Sequence, residues 1–211
     1  MIRKAAAGLH GFSRGHTAEQ VRKMEELRNQ LLEYQKECTT VSVYSNRQDT
    51  SLFSAGIIYA VSEEDILLRS IAPDGGYDGH QTIPLSDIYM VCADGAYEKD
   101  LEKRYFAQEM RHPEFRISGN NLRVVLLELA KKTGCWVSVE LCKSGNWDVQ
   151  GQVRDLSDES VSIDAYDGEE FSGRCLIRLE SVTRVCSNSS DERALERKVF
   201  KAKLAAEEAQ K

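Results

Sequence analysis

The most reactive side chains in this sequence are its cysteines and histidines, and their spacing decides whether they could act together. There are six cysteines and four histidines. A cysteine becomes a nucleophile when a base lies within reach of its thiol. Cys92 and Cys186 occupy matching positions of an internal repeat, whereas no histidine is repeated. This pattern favours structural cysteines over a catalytic pair.

The cysteines also lack the spacing of a metal site or of a disulfide framework. They form no C-x-x-C pair, and we recognise no signal peptide. Cysteines on apolar strands behave as small core residues. The sequence therefore predicts reduced thiols in the core and no bound metal. The six residues are Cys38, Cys92, Cys135, Cys142, Cys175 and Cys186.

Acidic residues beside glycines are a second candidate for chemistry. Asp74, Asp78, Asp167 and Glu169 resemble half of a calcium-binding loop. They lack the other ligand positions and the closing bidentate glutamate of such a loop. Aspartate next to glycine is typical of turns. We therefore predict turns at these positions, no cofactor and no catalytic residue, and we do not expect an enzyme.

The two tryptophans, Trp136 and Trp147, are the candidate interface residues. Trp147 follows the turn-forming segment Ser144-Gly145-Asn146, so its ring is expected at the tip of a turn. An aromatic ring there either anchors a partner or folds back on the protein. The acidic run from Asp155 to Glu170 is typical of a solvated face, with a docking surface for a basic partner as the alternative.

These residues belong to a sequence that is written twice. Segments before Phe106 recur before Phe200 at an offset of about 93 to 96 residues, as in a duplicated module. The closing match places Glu98, Leu101 and Glu102 against Glu192, Leu195 and Glu196. The other matches are Val41-Ser42-Val43 with Val137-Ser138-Val139, Gly56 with Gly151, Asp74-Gly75 with Asp167-Gly168, Gly79 with Gly173, and Val91-Cys92 with Val185-Cys186.

The periodicity of apolar residues predicts one helix and five short strands in each copy. Thr17 and Gln20 fit a capping box at the start of the first helix. From Val41 the apolar residues alternate in short runs between polar turns, which is typical of strands. His112-Pro113 breaks the helix that follows, because the residue before proline avoids the helical region. We therefore predict a flexible tail at residues 1–16 (with a transit peptide as the alternative), a first module with flanking helices at 17–112, and a second module with a C-terminal helix at 113–211.

The pattern resembles the Sm-like fold. Gly56-Ile57-Ile58 and Gly151-Gln152-Val153 match the glycine of the family's first signature, and residues 173–177 resemble its second. The duplicated layout is similar to tandem Sm-like cytosolic proteins of Firmicutes. The resemblance covers Thr17 to Phe200. It implies a mainly β (α+β) fold of two tandem Sm-like modules, each an N-terminal helix followed by a small, strongly bent five-stranded barrel.

The resemblance stops short of the RNA site of classical Sm proteins. Those proteins carry an Asp, and four residues later an Asn, in the turn between their second and third strands. The matching turns here are Ser62-Glu63-Glu64-Asp65 and Ser157-Asp158-Glu159-Ser160, which contain no Asn. Without the amide nothing reads the base edge, and the acidic residues repel phosphate. Uracil recognition at these turns is therefore not expected.

Composition favours a protein partner over RNA. The chain of 211 residues has a net charge of -6, which opposes phosphate binding. No apolar run approaches the ~20 residues needed to cross a bilayer, so we predict a cytoplasmic protein without a membrane partner. The prediction is a non-catalytic interaction or scaffold protein, with a homo-oligomer left open. The alternative is an RNA-binding protein with a basic groove. Its candidate contacts are Arg3, Lys4, Arg14, Arg22 and Lys23.

Overall fold

The computed structural model describes residues 18–108, 117 and 120–208. Four α-helices and ten strands lie within these residues. The helices are α1 (Ala18–Glu37), α2 (Ala96–Ala107), α3 (Leu122–Thr133) and α4 (Ser190–Glu208). The strands are β1 (Thr40–Tyr44), β2 (Ser54–Val61), β3 (Asp65–Ile71), β4 (Tyr77–Pro84), β5 (Met90–Ala93), β6 (Trp136–Leu141), β7 (Val149–Leu156), β8 (Ser160–Asp167), β9 (Glu170–Arg178) and β10 (Val182–Ser187). We call α1 to α2 the first half and α3 to α4 the second half.

All ten strands form one antiparallel sheet in the order β5-β1-β2-β3-β4-β10-β6-β7-β8-β9. The predicted fold of two tandem Sm-like barrels is therefore wrong. The first half does not close on itself, because β4 pairs with β10 of the second half, with Gln81 opposite Cys186 and His80 opposite Ser187. That pairing satisfies the backbone groups along β4 that a separate module would leave at an edge. We call it the β4–β10 junction.

Each half does contain a helix followed by five strands, the number that the sequence predicts. β1 and β6 contain the two Val-Ser-Val segments, and each half has the same internal strand order. Helix α3 is capped at both ends: the Asn121 side chain accepts a hydrogen bond from the Val124 N–H, and Gly134 is left-handed at φ 72°. Such caps satisfy backbone groups that a helix end leaves unpaired.

Helix α3 makes the two halves share one core. Leu126 and Leu127 of this helix are fully buried, and they belong to a cluster that includes Leu67 of the first half. A second cluster lies under α1 around Leu31, and a third lies under α2 around Leu101. Strands β2 and β3 contribute to all three clusters, so they are covered on both faces. This explains why three consecutive residues of β3, Ile66-Leu67-Leu68, are apolar.

Arg123 of α3 forms ion pairs that link the second half to the turn between β2 and β3. Its guanidinium lies 3.0 Å from Asp65 Oδ2 and 2.7 Å from Glu64 Oε2, and it donates to the Val182 carbonyl at 2.9 Å. Asp65 is 1% exposed. Burial raises the pKa of Asp65 to about 6, because the guanidinium of Arg123 offsets only part of the cost of desolvating the carboxylate.

We expect the Asp65→Asn variant to gain stability relative to the wild type as the pH rises. The folded-state pKa of Asp65 lies above its unfolded value, so its stabilising contribution is present below the unfolded pKa and is lost as the pH rises through about 6. The difference in unfolding free energy between the two proteins should change by about 2 kcal/mol between about pH 4.5 and about pH 7. Urea unfolding at each pH measures it. Glu63→Gln, an exposed neighbour, is the control, and a parallel pH profile for wild type and Asp65→Asn would contradict the expectation.

Some predictions fall on residues outside the described ranges. These are the tail at 1–16, the capping box, whose Thr17 lies outside them, and the break at His112-Pro113 with the module boundary beside it. None of the helices within the described ranges is long and apolar enough to span a membrane.

Candidate binding cleft at the junction of the two halves

A cleft of about 510 Å³ lies where the two halves meet. One wall is the loop between β1 and β2, and the other is the turn between β6 and β7. We call it the junction cleft. Its lining residues are Ser45, Asn46, Arg47, Gln48, Leu52, Phe53, Ser54, Gln81, Asp87, Glu140, Lys143, Gly145, Asn146, Trp147 and Arg184.

The floor of the junction cleft is a chain of ion pairs that crosses between the halves. Arg184 of β10 lies 3.2 Å from Glu140 of β6 and 3.4 Å from Asp87 of the first half. Asp87 also accepts from Lys143 Nζ at 2.9 Å. The side chains of Arg184, Asp87 and Glu140 are at most about one-fifth exposed. Charge is therefore nearly balanced along the floor.

Asp87 stays ionised in this setting. Burial on its own would raise the pKa of this carboxyl, but the hydrogen bond and charge of Lys143, together with Arg184, outweigh it and hold the pKa below its ordinary value. The carboxylate is thus committed to the two cations at neutral pH. It is not set up as a proton donor or as a general acid.

Each wall is a turn fixed by its own side chains. On one side Asn46 Oδ1 accepts from the backbone N–H groups of Gln48 and Asp49, at 2.9 and 3.1 Å. On the other, Asp148 Oδ2 accepts from Leu141 N at 2.7 Å and from Ser144 Oγ at 2.6 Å. Side chains that satisfy neighbouring backbone groups hold such turns in one conformation. The two walls are therefore pre-formed.

The walls also approach each other closely. Gly145 has φ 79°, and a Cβ built at this glycine would lie 3.5 Å from Gln48 Nε2 of the opposite wall. Glu140 Oε1 accepts from Gly145 N at 2.8 Å, which ties the turn to the ion pairs of the floor. Floor and wall thus form one hydrogen-bonded unit.

Two aromatic side chains from different halves face the junction cleft. Phe53 is 39% exposed on the wall of the first half, and Trp147 is 42% exposed on the wall of the second. The Phe53 ring is supported from behind by Tyr44 and Tyr97, at centroid distances of 5.1 and 5.4 Å. Supported but exposed aromatic rings are typical anchors of protein interfaces.

A second hollow of about 320 Å³ continues from the junction cleft. Both are lined by Phe53, Ser54, Gln81 and Trp147, so the two rings stand where they meet. The hollow adds further polar and acidic side chains to the lining. Among these are Ser70, Asp78, Gln150 and Asp191. The junction cleft thus contributes side chains of both charges to the continuous groove, and the hollow contributes acidic ones.

The structure separates the two predicted interface tryptophans. Trp147 lies on the wall of the junction cleft, as described above. Trp136 lies in β6, is 3% exposed and packs on Tyr166 at a centroid distance of 4.7 Å. It is a core residue of the second half and contributes nothing to the surface of the cleft.

The predicted basic contacts are not brought together within the described residues. Arg22 and Lys23 lie on α1, where Lys23 forms an ion pair with Glu19 at 2.8 Å. Arg22 borders a shallow surface that also contains Glu25 and Glu26. The remaining candidates lie outside the described ranges: Arg3, Lys4 and Arg14.

The prediction of core thiols holds for only part of the set. All six cysteines are free, and Cys186 is buried at 8% exposure. Cys38 and Cys142 are exposed, so the prediction is wrong for them. Both adopt positive φ, at 55° and 52°, just after a helix and just after a strand, where the chain turns away from the core.

The predicted turns occur at Asp74-Gly75 and Asp167-Gly168, but the prediction is wrong for Asp78, which lies in strand β4. Asp74 Oδ1 accepts from Gly76 N at 2.8 Å, and Gly75 has φ 90°. Gly168 has φ 58° in the turn between β8 and β9. No cluster of three or more His, Cys, Asp or Glu with metal-binding geometry occurs within the described ranges.

Sequence reasoning missed a pair of buried polar contacts that the repeat duplicates. Ser42 Oγ donates to Glu98 Oε1, and Ser138 Oγ donates to Glu192 Oε1, both at 2.5 Å. Each serine is the middle residue of a Val-Ser-Val segment, and each glutamate lies in the first turn of the helix that follows the last strand of its half. The matching offset of the serines and of the glutamates was the signal that could have revealed the contact.

Comparisons with known proteins identify no family. No family model matches the sequence, and no curated protein matches it significantly. Among solved structures, the apo-state structure of MrkH from K. pneumonia matches over 89% of this chain and 97% of MrkH, with 12% sequence identity and a TM-score of 0.20. A likeness this weak carries no argument about fold or function. None of these results supports the resemblance to tandem Sm-like proteins.

Proposed function

We propose that the protein is a non-catalytic interaction module that binds an extended segment of another protein in the junction cleft. The observation that carries the proposal is the pair of exposed rings, Phe53 and Trp147, which come from different halves and line the same groove. Interface energy is concentrated in a few aromatic and arginine side chains at the centre of a contact. Here two such rings stand beside Arg47 and Arg184.

The shape of the groove supports an extended ligand. The junction cleft and its neighbouring hollow run past Phe53 and Trp147 without a break in their lining. Amide side chains along the path, such as Gln48 and Gln150, offer both donors and acceptors to a peptide backbone. The rings would hold one apolar side chain between them, while the amides hold the backbone on either side.

The charges of the groove favour a peptide over RNA. The cations Arg184 and Lys143 are neutralised by Asp87 and Glu140, so they offer little to a polyphosphate chain. The hollow adds Asp78 and Asp191. A segment with one apolar residue and a basic residue toward the acidic hollow would match this arrangement.

We expect Trp147→Ala to weaken peptide binding by about 10- to 30-fold, because truncating a hot-spot aromatic removes most of the contact it makes. The probes are peptides selected from a random linear library displayed on phage, bound to the full chain and measured by fluorescence anisotropy. Phe53→Ala should have a similar effect. Thermal unfolding checks that both variants remain folded.

The matched control is Phe200→Ala, which removes a still more exposed aromatic ring of α4 that lines neither the cleft nor the hollow. Its affinity for the selected peptides should equal that of the wild type. A mixed-sequence single-stranded RNA is titrated in parallel over a salt series. Selected peptides that bind Trp147→Ala as tightly as the wild type, or RNA that binds more tightly than any peptide, would overturn the proposal.

A further inference from the structure

The repeat makes each strand of the β4–β10 junction equivalent to an outer strand of the sheet. Gly79 of β4 matches Gly173 of β9, and Cys92 of β5 matches Cys186 of β10. The pairing within each half confirms this equivalence. Ser42 lies opposite Cys92 in one half, as Ser138 lies opposite Cys186 in the other. Thus β9 corresponds to β4, and β5 corresponds to β10.

Both outer strands have a free edge within the described part of the chain. β5 pairs with β1 alone, and β9 pairs with β8 alone. β9 is the longer, with nine residues. A long, exposed strand edge readily pairs with another chain, and proteins usually shorten, twist or cover such edges.

An exposed leucine of β9 is equivalent to a residue that the β4–β10 junction buries in β4. Leu176 is 77% exposed, whereas Thr82, its equivalent in β4, is fully buried against β10. Cys92 of β5 is partly exposed, whereas its equivalent Cys186 is buried at 8% exposure. An exposed leucine at this position is the kind of side chain that a second strand would cover.

The equivalent glycines Gly79 and Gly173 also indicate that a second strand can pair with β9. A Cβ built at Gly79 would lie 2.4 Å from the Ser187 carbonyl oxygen, so a glycine is needed where β10 approaches β4. Gly173 repeats this glycine in β9, yet no described atom lies within 4 Å of a Cβ built there. In the single chain, therefore, no strand approaches Gly173 in the way that β10 approaches Gly79.

We propose that copies of this protein assemble head to tail, with β9 of one copy pairing with β5 of the next in the register of the β4–β10 junction. The occupant of the β9 edge is thus a second copy of the same chain. Cys175 is equivalent to Gln81, and Cys92 is equivalent to Cys186. The pair of Gln81 and Cys186 in the junction therefore corresponds to a pair of Cys175 and Cys92 of the next copy. Leu176 then packs beside Val91 of that copy, because Val91 is equivalent to Val185. Such a contact is heterologous, so it forms a ring if the rotation closes and a filament if it does not.

The register predicts a specific thiol pair that can be tested with the native protein. Directly opposed residues of antiparallel strands have Cβ atoms about 4.5 to 5.5 Å apart. Dibromobimane, which bridges two nearby thiols by alkylation, should therefore join Cys92 of one copy to Cys175 of another. Denaturing electrophoresis should show chains linked in multiples, and mass spectrometry should identify the linked peptides. Cys175→Ser should abolish the linked species, whereas Cys142→Ser, at an exposed cysteine outside the strands, should leave them.

Light scattering over a wide concentration series provides the second test. The wild type should form species larger than one chain, and Leu176→Lys should return it to monomers by placing a charge in the contact. Leu204→Lys on α4, where the leucine is 44% exposed, is the matched control and should not change the assembly. A wild type that stays monomeric, or linked chains joined through Cys38 or Cys142 instead, would overturn the proposal. Peptide binding in the junction cleft is measured separately, so failure of one proposal does not imply failure of the other.

Discussion

Replacing Glu192 by alanine is expected to lower the free energy of unfolding by about 3 to 5 kcal/mol. This carboxylate is 2% exposed and accepts from Ser138 Oγ at 2.5 Å and from Ser189 N at 2.6 Å. Cys186 Sγ lies 3.7 Å from its second oxygen. Alanine would remove the acceptor while leaving its donors buried, and each unpaired donor costs about 1 to 3 kcal/mol. The lost side-chain volume adds a cavity.

Urea unfolding of the full chain measures this change. Glu196→Ala is the matched control, because Glu196 lies one turn further along α4 and is exposed. Its effect should stay within about 0.5 kcal/mol, as for most surface substitutions. If Glu192→Ala were no more destabilised than Glu196→Ala, the buried contact would not stabilise the second half in the way the distances indicate.

The second large effect is expected from Gly79→Ala, which should lower the free energy of unfolding by about 2 to 5 kcal/mol, the sum of the costs of overpacking and of a left-handed backbone. Gly79 has φ 77°, and its Cβ would meet the Ser187 carbonyl oxygen at 2.4 Å and Ser189 N at 2.6 Å. Both atoms are backbone of the second half, so the clash can be relieved only by moving β4 away from β10. The substitution should therefore loosen the β4–β10 junction itself and separate the unfolding of the two halves.

Gly168→Ala separates the clash from the cost of the backbone conformation. Gly168 has φ 58°, but a Cβ there meets nothing within 4 Å. A left-handed backbone costs a non-glycine residue roughly 1 to 2 kcal/mol, so the free energy of unfolding of this variant should fall by that amount only. Calorimetry should show one transition for the wild type and for Gly168→Ala, and a broadened or split transition for Gly79→Ala. Equal losses for the two variants would argue against a tight junction at β4 and β10.

The positions of the strands and helices could be predicted from the sequence because they depend on local pattern. The alternation around Val41 and Val137 locates two strands, and Gly134 after Lys131 and Lys132 marks the C-terminal end of α3. The arrangement of the strands could not be predicted in this way. Alternation shows which face of a strand is buried, but it does not show which strand lies beside it.

The junction illustrates this limit. β4 and β10 pair across about a hundred residues of sequence, as Gln81 opposite Cys186 shows. The resemblance to single barrels favoured closure of each half, and the structure instead joins the halves edge to edge. No local signal in either strand distinguishes the two outcomes.

The residues of the junction cleft could be predicted from the sequence only in part. Trp147 could be found because it follows a turn-forming segment. Phe53 could not, because a lone aromatic residue in a polar loop gives no periodic signal. The ion pairs of Arg184 with Asp87 and Glu140 join three separate segments, so they follow from the fold rather than from spacing. The buried serine–glutamate contacts were visible only as an unexplained match between the two copies.

The most direct test of the proposed function is hydrogen–deuterium exchange of the full chain with and without a selected peptide. We predict that the peptide slows exchange in two segments, residues 45–54 and 140–148, which form the walls of the junction cleft. The surface of α1 around Arg22 and the edge of β9 should exchange at unchanged rates. Protection confined to α1 or to β9, with the two cleft walls unaffected, would contradict binding in the junction cleft.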